Sequence, residues 1–316
     1  MSPAGFSAPP YAVAFQDPET GKIFDRFKQV PPCSPVGEGT IVGSPRELAR
    51  GRENVVVAGV SWEKERVFEA VGLERLRRLM VGGCIGSACE RVEVRELPLL
   101  EEFVVGDDSF TRSMRCDAMS PFTQQDRIRK EKRKLVIAKC PQLARIEIGN
   151  GAFSDFSAVT MEDLPQLSRL KVGTAEKKDP FMNRSYAFFG CESFELRDLP
   201  ALQQIELGNY ALYHCNHFTL KNLPALTMCL LGDYTLFECS SFTLDNTPAL
   251  KTLLCFDFAV YSCQTFVAID VKSLEKCILG MNCFFRLETI QKKNISVQLS
   301  MELNRKRKCL PKVVTI

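Results

Sequence analysis

The only two histidines of the 316-residue chain, His214 and His217, flank Cys215. Imidazole and thiolate are good ligands for a borderline-soft metal, so this H-C-x-H cluster is the first place where chemistry would be sought. A structural site needs about four such ligands, and no CxxC or second His pair is present to complete the set. The cluster is therefore read as two polar residues on a turn, with no metal and no cofactor. None of GxSxG, the phosphate loop GxxxxGK[ST], HExxH or a DFG-type set occurs. Enzymatic function is disfavoured on that ground, although carboxylates brought together by folding would leave no motif.

The fourteen cysteines resemble a disulfide framework until their spacing is considered. Cys89, Cys191, Cys215, Cys239 and Cys263 share one position of an internal repeat, where Phe156 and Leu287 also occur. A site that takes Cys, Phe or Leu is filled as a small hydrophobe. Reduced thiols are expected, which places the chain in the cytosol, with the nucleus as the alternative. The first residues lack the basic start and apolar core of a secretory signal, and no run of about 18 apolar residues marks a spanning helix. Net charge is +3, too small to imply nucleic acid or membrane by itself.

Two basic runs remain. Residues 127–134 carry Arg127, Arg129, Lys130, Lys132, Arg133 and Lys134, and residues 305–308 read Arg305, Lys306, Arg307, Lys308. Either would suit an anionic partner or an import receptor. Neither has the interleaved aromatics of a single-strand nucleic-acid surface. The plainer reading is a solvated run of charge.

What positions all these residues is the repeat. Residues 199–246 hold two tandem 24-residue copies, LPALQQIELGNYALYHCNHFTLKN and LPALTMCLLGDYTLFECSSFTLDN. Relatives of the unit begin at Leu73, Leu97, Cys140, Leu164, Leu199, Leu223, Thr247 and Val271. Self-similarity at this period implies a solenoid whose units bury their apolar faces against their neighbours. Two longer intervals mark insertions, near 111–134 and 174–186, expected to project as loops. Within the unit, L-x-x-I-x-L predicts a short strand and Gly at the tenth position ends it. A-F-x-x-C predicts one helical turn, and F-x-L a second extended piece. Residues 1–50 carry eight of the seventeen prolines and read as a mostly disordered leader, with a hairpin or docking strand conceivable around DPETG. Residues 51–72 read as a cap, with a strand at NVVVAGVSW and helix-like spacing over 63–71. Residues 295–316 read as a closing strand, ISVQLSMEL, and the basic tail.

L-x-x-I-x-L-G-x-x-A-F resembles the leucine-rich-repeat core, and the A-F-x-x-C continuation is similar to the bacterial-surface-antigen (BspA-like) subclass found also in protists. The resemblance covers about 220 residues in eight copies. It implies an α/β solenoid of about eight 24-residue units, with a parallel β-sheet on one face and short helical turns or strands on the other. It also implies partner binding on the sheet face. The asparagine of ordinary leucine-rich repeats, expected two residues after the glycine, is met only at Asn282. A parallel β-helix of similar rung length is the structural alternative.

Two surfaces are candidates for a partner. On the sheet, the sixth and eighth positions of each unit face outward. They are charged in the middle of the stack, at Arg145 and Arg169, and apolar near its end, at Met228, Leu230, Leu254 and Ile278. The twelfth and fifteenth positions form two aromatic rows that include Tyr210, Tyr213, Tyr234, Phe237 and Tyr261. If the turn is helical, these rows form one partly exposed stripe; if it is extended, they pack edge-on between rungs. The expected function is a non-enzymatic protein-interaction scaffold. A nucleic-acid-binding or nuclear factor using the basic runs, and an enzyme-regulating solenoid, are the alternatives.

Overall fold

A computed structural model describes residues 40–41, 53–57, 65–112, 132–175, 185–309 and 314–315. The hairpin around DPETG, Arg127, Arg129, Lys130 and most of the second insertion lie outside these residues. Among the described residues, twenty strands form two parallel sheets of ten, successive strands from β2 to β19 alternating between them. In chain order they begin with β1 (Thr40–Ile41), β2 (Asn54–Val57), β3 (Val67–Val71), β4 (Arg78–Val81), β5 (Arg91–Arg95) and β6 (Glu102–Val105). The middle rungs supply β7 (Lys134–Ala138), β8 (Arg145–Ile148), β9 (Ala158–Glu162), β10 (Arg169–Val172), β11 (Ser193–Arg197) and β12 (Gln204–Leu207). Then follow β13 (His217–Lys221), β14 (Met228–Leu231), β15 (Ser241–Asp245), β16 (Thr252–Cys255), β17 (Thr265–Val271), β18 (Lys276–Leu279) and β19 (Thr289–Ile295). A helix, α1 (Val297–Cys309), and β20 (Val314–Thr315) follow. The first sheet runs β1-β2-β4-β6-β8-β10-β12-β14-β16-β18, and the second runs β20-β19-β17-β15-β13-β11-β9-β7-β5-β3. The chain is thus a parallel β-solenoid of about nine turns.

The core follows from the period of two along a strand. In the unit beginning at Leu199, Ile205 and Leu207 point inward from β12, and Phe218 and Leu220 from β13; all are buried. One rung further the same places hold Cys229, Leu231, Phe242 and Leu244. The register pairs each with its equivalent, Ile205 with Cys229 and Phe218 with Phe242. Glycine ends the first strand for a steric reason: a Cβ on Gly232 would lie 2.7 Å from the Asn209 amide nitrogen and 2.8 Å from the Gly208 carbonyl carbon of the preceding rung.

Three expectations are corrected. The A-F-x-x-C corner is not a helical turn. Its twelfth and fourteenth residues take positive φ, as at Tyr210 (61°), Leu212 (53°), Tyr234 (57°) and Leu236 (56°). A right-handed helix cannot contain such residues. The amides go between rungs instead: Tyr210 N donates to Asp233 O at 2.8 Å, and Leu212 N to Ala187 O at 3.0 Å. Residues 67–71 are a strand rather than helix, because Phe68 and Ala70, two apart, are the residues buried. The leader over residues 1–50 lies outside the described residues except at β1, whose Thr40 and Ile41 register with Val56 and Val57. ISVQLSMEL is mostly helical. Its residues fit periods of two and of four, and the N-cap decides: Ser296 Oγ accepts the Leu299 amide at 3.1 Å. Leu299 and Leu303, four apart, are buried, whereas Val297 and Met301 are exposed.

Candidate interaction surface

On the outer face of the first sheet, parallel register lines up like positions of successive rungs. The sixth positions form the row Glu102, Arg145, Arg169, Gln204, Met228, Thr252 and Lys276. The eighth form Val104, Glu147, Lys171, Glu206, Leu230, Leu254 and Ile278. In the middle these rows pair with each other electrostatically. Arg145 meets Glu147 at 2.7 Å and Glu102 at 3.8 Å, and Lys171 meets Glu206 at 3.8 Å. Arg169 is half-buried beside them. From β14 onward the eighth-position row is uncharged. Met228, Leu230 and Leu254 are half-buried, and Ile278 is 46% exposed.

This apolar face turns the corner. Phe256 stands where most units have the strand-ending glycine, so Leu254, Phe256 and Phe258 follow at alternate positions, each half-buried. In the next unit Met281 is 60% and Phe285 49% exposed. Beyond the corner the aromatic rows are stacked face to face. Tyr210, Tyr234 and Phe258 have centroids 4.8 and 4.7 Å apart, with planes within 9°. Phe189, Tyr213, Phe237, Tyr261 and Phe285 follow at 5.1, 4.9, 4.7 and 5.0 Å. Each corner repeats the same positive-φ geometry, so the rings fall in register. The rows are not uniformly open. Phe189 and Tyr213 are buried, Phe237 and Tyr261 half-buried, and only Phe285 is exposed. Tyr213 is therefore a supporting ring. Burial, with the Glu238 carboxylate nearby, pushes its hydroxyl well above the usual range.

The H-C-x-H cluster does not converge. His214 is buried, edge-on to Phe189 and Tyr213, with Nδ1 2.7 Å from Glu238 Oε2. His217 reaches Ser241 Oγ at 2.8 Å, and Cys215 Sγ donates to the His217 carbonyl. No group of three potential metal ligands exists among the described residues. Nor is either basic run simply solvated. Arg133 is buried against Asp155, and Arg305 and Lys306 bond carbonyls at the end of the stack.

Two polar ladders escaped the sequence reading. Asp107, Asn150, Asn209, Asp233 and Asp257 each accept an amide of the next rung through Oδ1, at 2.6–3.0 Å. They stand one residue after the strand-ending position, not two. The other ladder occupies the unit's last position, where Asn222 donates to Asp198 at 2.8 Å and Asn246 to Asn222 at 3.1 Å. Asn and Asp recurring every 24 residues at turn positions are the signal for both.

No protein-family model, curated protein or solved structure matches the chain. No helix among the described residues is long and apolar enough to cross a membrane.

Proposed function

We propose that the chain is a non-enzymatic scaffold that binds another protein across the apolar strip of its last three units. The observation that carries this is the continuity of Leu230, Leu254 and Ile278 on the sheet with Phe256, Phe258, Met281 and Phe285 around the corner. A monomer seldom leaves a connected apolar surface of this kind open without a contact to make. The stacked rings beneath it supply a rigid base, and rigid aromatics are efficient anchors because little side-chain entropy is lost on binding. Kinship with leucine-rich repeats of the bacterial-surface-antigen type is part of this proposal, supported by the L-x-x-I-x-L-G rung. The nucleic-acid reading draws less support, since Arg133 is buried and Arg305 and Lys306 are engaged.

The test is affinity capture by the full chain, by a Leu254→Ser/Phe285→Ser variant, and by a variant of the exposed Glu69 on the other sheet, Glu69→Ser. The reading requires a partner held by wild type and by Glu69→Ser but lost from the strip variant. Salt-sensitive RNA or heparin binding indifferent to the strip would replace it with the nucleic-acid reading.

A further inference from the structure

The second sheet opens at one seam. β9 and β11 register only through Ala158 and Ser193. Every other neighbouring pair from β3 to β19 registers over five residues or more. The corner bond between rungs fails at the same place. Gly72, Glu96, Lys139, Asp198, Asn222 and Asn246 each donate their amide to a carbonyl of the next rung. Among the described residues, Asp163 at the equivalent position makes no such bond.

The side chains at this seam differ from those of the later rungs. Extending the Ala158–Ser193 register brings Asp163 opposite Asp198. In the later rungs, where this ladder closes, an amide faces a carboxylate or another amide, as Asn222 faces Asp198 and Asn294 faces Asp270. Two carboxylates provide no donor and repel, and like charges directly opposite destabilise a strand pair. The strands part, and Val159 is left half-buried, whereas the equivalent Phe194, Phe218 and Phe242 are buried. The result is an open groove of about 1160 Å³ with Val159, Met161 and Leu164 along it. Five carboxylates line it against two cations, Lys139 and Arg197. Those cations are engaged with Glu96 at 3.7 Å and Glu195 at 2.7 Å.

We propose that the seam between β9 and β11 is a slot for an extended basic segment of a partner protein, with a Lys or Arg side chain seated between Asp163 and Asp198. Parted strands offer backbone groups to an added strand, which is how sheet edges capture extended peptides. The excess of negative charge selects the sign of the segment. This site lies on the other sheet from the apolar strip and does not depend on it.

The test uses the full chain and two fluorescein-labelled probes, Lys-Val-Lys-Val-Lys-Val and Glu-Val-Glu-Val-Glu-Val, followed by anisotropy and by amide hydrogen exchange. The lysine peptide should bind saturably, weaken with salt, and slow exchange at residues 159–163 and 194–198. Asp198→Asn supplies the missing donor, so it should raise the thermal midpoint while weakening the lysine peptide about ten-fold or more. Asp163→Asn, which supplies a donor from the other side, should do the same. Loss of binding in a variant that is more stable cannot come from misfolding. Binding of the lysine peptide by both variants as tight as by wild type, equal binding of the glutamate peptide, or protection confined to other strands would overturn the proposal. Self-association abolished by Asp198→Asn would overturn it too, by assigning the seam to a second copy of the chain.

Discussion

Arg133 holds a full positive charge where no surface is exposed. Its guanidinium bonds Asp155, the Cys89 carbonyl at 2.6 Å through Nε, and the Ser87 carbonyl at 3.2 Å, and it lies 4.7 Å over the Phe156 ring. Asp155 also accepts the Arg112 amide at 3.3 Å. Arg112 and Arg133, near the two ends of the first insertion, thus meet at one carboxylate. Removing one partner strands a buried charge, so Asp155→Ala should cost about 3–5 kcal/mol in chemical denaturation. Arg133→Met combined with Asp155→Leu should recover most of that loss, and no recovery would mean the pair contributes through packing alone. In sequence Arg133 is one of six cations in a run, and nothing local distinguishes it. Its partner lies 22 residues away and becomes visible only when rungs are stacked. The thiols are the opposite case, because the exchange of Cys with Phe and Leu at one position already indicates burial. Burial pushes Cys191, Cys229 and Cys239 up to about 12. The thiolate is the reacting species. At pH 8 without denaturant, mass spectrometry should find Cys84, which is exposed, alkylated in minutes and those three unmodified. Rapid modification of the three would place them in open pockets.

The rungs show which local signals are decisive at the level of elements. Strand positions were legible, since alternate apolar residues ending in glycine have few other solutions. The corner was not. A-F-x-x-C places apolar residues at spacings that suit a helix, but hydrogen bonds between rungs, 24 residues apart in most of the stack, supersede local ones. The same competition explains Asn222, which closes the corner at φ 52° and donates to Asp198 while accepting from Asn246. Asparagine tolerates this left-handed conformation better than most residues. Replacing it by Gly removes the two side-chain bonds but keeps the backbone relaxed. Replacing it by Ala adds strain. Asn222→Gly should therefore cost about 1–2 kcal/mol and Asn222→Ala about 1–2 kcal/mol more, measured by urea unfolding. Equal losses would mean that the bonds matter and the backbone conformation does not.

A stack of rungs has two ends, and the whole molecule depends on how each is closed. Interior rungs bury their faces on both sides, so stability accumulates through neighbours, and a bare end frays. At the carboxy-terminal end α1 covers the first sheet. Leu299 and Leu303 are buried, while Lys306 Nζ reaches the Gly280 carbonyl at 2.7 Å and Arg305 the Leu279 carbonyl at 3.4 Å. These are carbonyls that a further rung would otherwise have paired. The basic tail thus has a structural use, independent of any anionic partner. The second sheet ends differently, with β20 adding two residues to β19 through Thr289–Val314 and Ile290–Thr315. Between them, no described residue caps the aromatic corner, and Phe285 ends its row exposed. Ending the chain after Ser296 should unseat β18 first, because only its cap is made of apolar burial. Amide exchange should then quicken in Cys277–Leu279 by roughly the exponential of the lost burial. Two leucines, at about 1.5–3 kcal/mol each, correspond to a factor of about a hundred or more. Rungs near β8 and β10 should exchange as before, since their neighbours are unchanged. Uniform quickening throughout the stack would mean that the solenoid unfolds as one cooperative unit and that α1 stabilises all of it equally.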